Sequence, residues 1–206
     1  MTRPGMPGLR GFYGKLPTRG DFLRMGLPRS FVDPWDDWLA GCLAAARMAL
    51  GEAWVLHWLE APIWRFALAA GVCGPNPVLG LFVPSVDRVG RDFPLTMAVL
   101  TPDAADAAWL EVASEAACEA VITAQEPALL AQVLQGGALD SESLPGGALQ
   151  QPAPPETLPD PAGGTLWWTE GAPRVEPMRL ARPGLPTPQT FIAMLGGPPA
   201  AEALAG

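Results

Sequence analysis

The sequence predicts an α/β fold: a single-domain layered sandwich with a mixed or largely antiparallel central sheet flanked by helices. Three observations carry this reading. Apolar runs with strand character recur at 63–70, 78–83, 94–100 and 165–171. Longer segments after Asp33 and after Thr101 carry apolar residues at helical spacing. Gly and Pro gather between these runs, where they mark turns.

Residues 1–10 read as a loose tail, and 11–32 as short extended pieces and turns. A first helix is expected from Asp33 to near Gly51. Asp33 can cap it, Pro34 suits the first helical position, and Asp36 and Asp37 suit the positive helix end. Trp35, Trp38, Leu39, Cys42, Leu43 and Ala46 then share one face. A short helical piece at 52–60 follows. In IWRFALAA (63–70), opened by Pro62, Trp64, Phe66 and Leu68 alternate with Ile63, Arg65 and Ala67, which is strand periodicity and leaves Arg65 in need of a partner. GVCGPNP (71–77) is a turn. The runs 78–83 and 94–100 bracket a charged loop, as a hairpin with an elaborated connection would.

Thr101-Pro102-Asp103 reads as the next helix start, with Trp109, Leu110, Ala113, Ala117 and Val121 on the buried stripe of 102–125. Glu111, Glu115 and Glu119 form an acidic row at i, i+4 spacing. Pro127 opens a second piece, PALLAQVL. Residues 136–164 hold six Gly and six Pro and are expected to be a long surface loop. Strands TLWWTEG (165–171) and RVEPMRL (174–180) come next. Thr187-Pro188 then starts a last helix through Leu195, and 196–206 is a second tail. Because strands resume after the loop, 11–195 reads as one domain.

Composition narrows the function. With 206 residues, 49% hydrophobic and 17% charged, the chain has ample material for a core. Eight Trp against one Tyr predict indole anchors in that core. Cys42, Cys73 and Cys118 are dispersed and lack metal-ligand spacing, so they read as buried free thiols of a reducing compartment. The N-terminal residues lack the apolar centre of a secretory signal, and no uninterrupted apolar run approaches a membrane span. A cytoplasmic protein without membrane insertion is the expectation. Residues 92–173 carry twelve acids and no Lys or Arg within a net charge of −8. Such a tract argues against nucleic-acid binding, which needs cations to displace counterions.

Catalytic patterns are missing. A single histidine, His57, lies between Leu56 and Trp58 and reads as structural. Gly14-Lys15 lacks the spacing of a phosphate loop, and there is no GxGxxG, GxSxG or HExxH. Arg19-Gly20-Asp21 is a turn with two charges. No cofactor or metal is implied.

The chemistry instead concentrates in PSVDRVGRDFPLT (84–96), where Asp87, Arg88, Arg91 and Asp92 sit between two apolar runs. Charge beside a core is costly unless paired. GFYGKLPTRGDF (11–22) repeats the theme with Lys15, Arg19 and Asp21. Shared chemistry predicts that the two segments meet. Asp21 and Asp87 are expected to orient Arg19, Arg88 and Arg91, whose planar guanidinium forks fit carboxylates and other acceptors. The same groups can equally form a self-neutralising structural network. An anionic-ligand sensor or a hydrolase using loop 84–94 are the other readings. Asp21 with Asp87 lacks the third ligand a divalent metal wants.

Three blocks resemble the TagF/ImpM family of type VI secretion-associated proteins. They are GFYGKLPTRGDF with GLPRSFVDPWDDWL (11–39), APIWRFALAAGVCG with VPSVDRVGRDFPLT (61–96), and LWWTEG with GLPTPQTF (166–191). Thr18 stands where the family suggests Ser, and Asp92 where it suggests an aromatic residue. The resemblance implies a cytoplasmic, non-enzymatic accessory protein. It implies post-translational regulation, chiefly repression, of assembly or firing through the forkhead-associated scaffold protein of the system. It also implies a single α/β sandwich.

Overall fold

The computed structural model describes residues 8–102, 106–134 and 164–198. In chain order they form β1 (Leu9–Gly14), β2 (Leu23–Met25), α1 (Arg29–Leu50), a 3-10 turn Gly51–Ala53, α2 (Trp54–Leu59) and β3 (Trp64–Leu68). There follow β4 (Val78–Val83), β5 (Leu95–Leu100), α3 (Asp106–Ile122), α4 (Pro127–Leu134), β6 (Thr165–Thr169), β7 (Met178–Arg182) and α5 (Pro188–Met194). The class is α/β, with antiparallel sheet flanked by helices. The chain gathers into two compact units, Met1–Leu27 with Val78–Leu158, and Pro28–Pro77 with Pro159–Gly206. The predicted loop 136–164 lies, but for Gly164, outside the described residues, as do most of the two tails.

In the first unit the strands run β2-β1-β5-β4. VLGLFV and LTMAVL pair as the expected hairpin, with Val78 opposite Leu100 and Val83 opposite Leu95. Every residue of both strands is buried, which explains why they read as continuous apolar runs and not as alternation. Helix α3 packs on β4 and β5 through Trp109, Leu110, Ala113 and Ala117, while Val121 is half-buried. Small alanines let the helix approach closely. The Arg10 guanidinium anchors the helix start, donating to the buried Asp106 carboxylate from Nη2 at 2.8 Å and lying 5.2 Å from the Trp109 ring centre. The expected cap at Thr101 is not formed as predicted. Thr101 takes φ 55°, whereas a capping residue has extended backbone, and Pro102 is not helical. Residues 103–105 lie outside the described residues.

The second unit orders its strands β3-β6-β7, with α1, α2 and α5. Helix α1 starts at Arg29, four residues before the predicted cap, and Pro34 lies inside it. Burial decides this. Phe31 and Val32 belong to the same apolar face as Trp35, Leu39 and Leu43, and packing them outweighs the one backbone bond Pro34 cannot donate. By length and composition the helical stretch Arg29–Leu59 would suffice to cross a membrane, a property that counting uninterrupted apolar runs misses. Its buried stripe packs against Phe66 and Trp167, as the core helix of a globular protein does.

Indoles build this core. Trp35 lies 4.5 Å from Phe66 and stacks on Phe31 at 5.5 Å between ring centres. Each buried N–H then needs an acceptor. Trp38 donates to the Pro186 carbonyl at 2.7 Å, Trp64 to Met194 at 3.0 Å and Trp167 to Thr165 Oγ1 at 3.0 Å. Arg65, buried on β3, is paired with Glu170 at 3.2 Å. The predicted Thr187 cap is present, accepting from the Thr190 N–H at 3.2 Å. The strand expected at 174–180 lies instead at Met178–Arg182. Gly171 at φ 91° and the Ala172–Val175 bridge make a turn first, and Pro177 has no N–H for the ladder. Cys42, Cys73 and Cys118 are free thiols; burial pushes those of Cys42 and Cys73 up to about 12.

Trp35→Ala should lower unfolding free energy by about 3–5 kcal/mol, measured by urea denaturation. Met48→Ala on the exposed face of the same helix should stay within about 0.5 kcal/mol. Equal effects would contradict this assignment of the core face.

Candidate functional site

The two charged segments do meet, within the first unit. Val86 and Asp92 form an antiparallel bridge, which narrows the β4–β5 connection to a small loop, 87–91. Asp87 N–H donates to the Arg91 carbonyl at 3.1 Å and Gly90 N–H to the Asp87 carbonyl at 2.9 Å. Gly90 holds φ 81°, in the region that favours glycine. The backbone is therefore closed on itself before any side chain is counted.

Asp87 then locks it. Its side chain has no exposed surface. Oδ1 accepts from the N–H groups of Val89 at 3.0 Å and Arg91 at 2.9 Å. Oδ2 accepts from Lys15 Nζ at 2.9 Å and Arg91 Nε at 2.6 Å. Burial by itself would raise the Asp87 carboxyl. The Arg91 N–H, the Lys15 ammonium, the Arg91 guanidinium and the Val89 N–H together reverse that and hold it well below the usual carboxylate range.

Lys15 reaches Asp87 from the end of β1. There Gly14 takes φ 138°, and a Cβ at Gly14 would strike the Pro94 carbonyl, so only glycine lets β1 pass this close to the hairpin. Lys15 is buried, its ammonium 5.0 Å from the Phe22 ring centre, and its carbonyl accepts from Ser85 Oγ at 2.8 Å. Phe22 stacks on Tyr13 at 5.6 Å and meets Phe93 edge-on at 4.7 Å. Two more bonds join the segments: Arg88 N–H to the Arg19 carbonyl at 2.9 Å, and Arg91 Nη2 to the Gly20 carbonyl at 2.6 Å.

Of the predicted residues, Asp87 and Arg91 are directly paired, and Arg19 and Arg88 lie beside them through the backbone bond. Two expectations need correction. Arg19 is not held by Asp21 or Asp87; its Nη2 pairs with Glu126 at 2.6 Å on the surface. Asp21 is exposed and orients nothing among the described residues, because the donors of the cluster converge on Asp87. Arg88 is exposed, and among the described residues its guanidinium has no hydrogen bond or ion pair. Lys15, not among the predicted site residues, is the buried cation of the cluster. Its signal was a lone lysine directly after a glycine at a strand end. Val89, exposed at the tip, had no signal.

The arrangement limits the chemistry. Asp87 already fills the cradle that its four donors would offer an external anion. His57 lies in the other unit, where its Nδ1 donates to the Leu195 carbonyl at 2.9 Å. Among the described residues no group of three or more His, Cys, Asp and Glu could hold a metal ion.

Fold and site together define an antiparallel α/β protein that presents a locked, arginine-bearing hairpin loop. The model of the TagF N-terminal domain, type VI secretion system-associated, matches residues 11–141, which include that loop and Lys15. The chain belongs to this family and is a type VI secretion system-associated protein. It is similar to PA0076 from Pseudomonas aeruginosa PAO1, whose crystal structure matches with a TM-score of 0.62 and 32% identity over 93% of this chain and 96% of that one. No curated protein matches the chain.

Removing Asp87 strands a buried lysine, so Asp87→Ala should cost about 3 kcal/mol or more of stability. Asp87→Asn carries the pH test. The folded carboxyl is depressed, so its contribution is complete above the unfolded value of about 3.9 and fades as pH falls from there towards the folded value. The stability gap between wild type and Asp87→Asn, from urea curves, should be constant from pH 7 to 5 and shrink below about pH 4. A gap unchanged at pH 3 would show that Asp87 is not held as an ion. Arg88→Ala should leave the melting temperature unchanged, since the side chain is exposed and makes no hydrogen bond or ion pair among the described residues.

Proposed function

We propose that this chain is a cytoplasmic, non-enzymatic regulator of the type VI secretion machine. It restrains assembly or firing by binding the forkhead-associated scaffold protein of the same system. Family membership supports the setting. The observation that carries the binding reading is the Asp87 lock, which spends one carboxylate and one lysine to hold a loop that leaves the Arg88 side chain exposed. A network serving stability alone would not leave Arg88 exposed and, among the described residues, unpaired beside Arg91, whose side chain is 62% exposed. Rigid, arginine-rich surfaces lose little entropy on association and are typical of strong contacts. The sensor and hydrolase readings lose ground because the anion cradle is filled from within.

The test is co-purification of the scaffold with tagged wild type and with Arg19→Ala/Arg88→Ala, which leaves the Asp87 lock intact. Capture by wild type and at least tenfold weaker capture by the variant, both melting at the same temperature, is the expected result. Equal capture would move the interface off this loop. No capture by wild type would overturn the proposed partner.

A further inference from the structure

Val89 sits at the tip of the loop with 67% of its surface exposed. Single exposed apolar residues are ordinary. What sets Val89 apart is the rigidity beneath it. Its own N–H is bound to Asp87 Oδ1, the N–H of Arg88 before it to the Arg19 carbonyl, and the N–H of Gly90 after it to the Asp87 carbonyl. Three consecutive N–H groups at a hairpin tip are thus satisfied from inside, where tips usually rely on water and move. An apolar side chain held in water on a fixed stem gains nothing for folding.

Charge defines what it faces. Arg88 and Arg91 flank the tip, and the buried Asp87 charge between them is offset by the buried Lys15, so the exposed charged side chains of the loop 87–91 are both cationic. We infer that the 88–91 tip is a prong, with Val89 as its apolar plug and Arg88 and Arg91 as its cationic collar, that enters an apolar recess with an acidic rim on a partner protein. Nucleic acid fits poorly, since the plug is aliphatic and offers no stacking surface. This inference rests on the binding reading above and deepens it by naming the contact chemistry.

The experiment is titration calorimetry of the purified forkhead-associated scaffold against wild type, Val89→Asp, Val89→Ile and Arg88→Ala, at 50 and 300 mM salt, with melting curves for each variant. Val89→Asp places an anion against the acidic rim and removes the plug, so affinity should fall by at least about thirtyfold with the melting temperature unchanged. Val89→Ile should bind within about threefold of wild type. Arg88→Ala should bind more weakly and show a smaller loss of affinity with salt. Wild type and Val89→Asp binding alike would overturn the prong while leaving the partner in place. Loss in Val89→Asp but wild-type salt dependence in Arg88→Ala would overturn the acidic rim. A wild type that does not bind would overturn both readings together.

Discussion

A carboxylate without exposed surface stays ionised only when donors surround it, and the hairpin loop 87–91 of this protein depends on one such group. Asp87 collects two backbone N–H groups, an ammonium and a guanidinium. Each donor comes with a structural consequence. The backbone donors close the loop, Lys15 ties β1 beneath it, and Arg91 carries the tie onward to Gly20. The burial that penalises the charge also strengthens each of these bonds, because little water competes for them. Loss of any donor would leave part of that charge uncompensated, so the network specifies one arrangement.

That economy explains the division of labour among the arginines. Arg91 is both structural and exposed, Arg19 is tethered to Glu126 at the surface, and Arg88 is committed only through its backbone. For Arg88 the backbone bond fixes where the side chain starts, and only the side chain itself would have to be ordered by a partner. The second unit solves a different problem. Its core is filled by indoles, whose N–H groups would be expensive to bury alone. The carbonyls of Pro186 and Met194 and the hydroxyl of Thr165 accept three of them, whereas among the described residues the buried Trp168 Nε1 has no hydrogen-bond partner. His57 is absorbed in the same way by Leu195, which places the only histidine in the packing.

Much of this was legible in the chain. Period-two and continuous apolar runs gave β3 to β6, and helical spacing gave α1 and α3 their buried faces. Thr187-Pro188 marked its helix because a cap acts over three residues. The meeting of 11–22 with 84–92 was expected from shared chemistry alone: both segments set charged side chains beside apolar, core-forming residues. Boundaries were less legible. Pro34 and Thr101-Pro102 look like helix starts locally, but burial of Phe31 and Val32 in one case and a left-handed Thr101 in the other override the local rule.

By itself the sequence determined the α/β class, the two apolar hairpin strands, the charged loop between them and the family to which the chain belongs. Each depends on patterns within a few residues or on motif blocks read in order. Only the tertiary structure decided which charges pair. Lys15 and Asp87 are 72 residues apart and Arg19 and Glu126 are 107 apart. No local propensity selects among the acids within reach of a lysine or arginine. The choice falls to the close passage of β1 past Pro94, permitted by Gly14, which brings one ammonium to one buried carboxylate and leaves Asp21 in water.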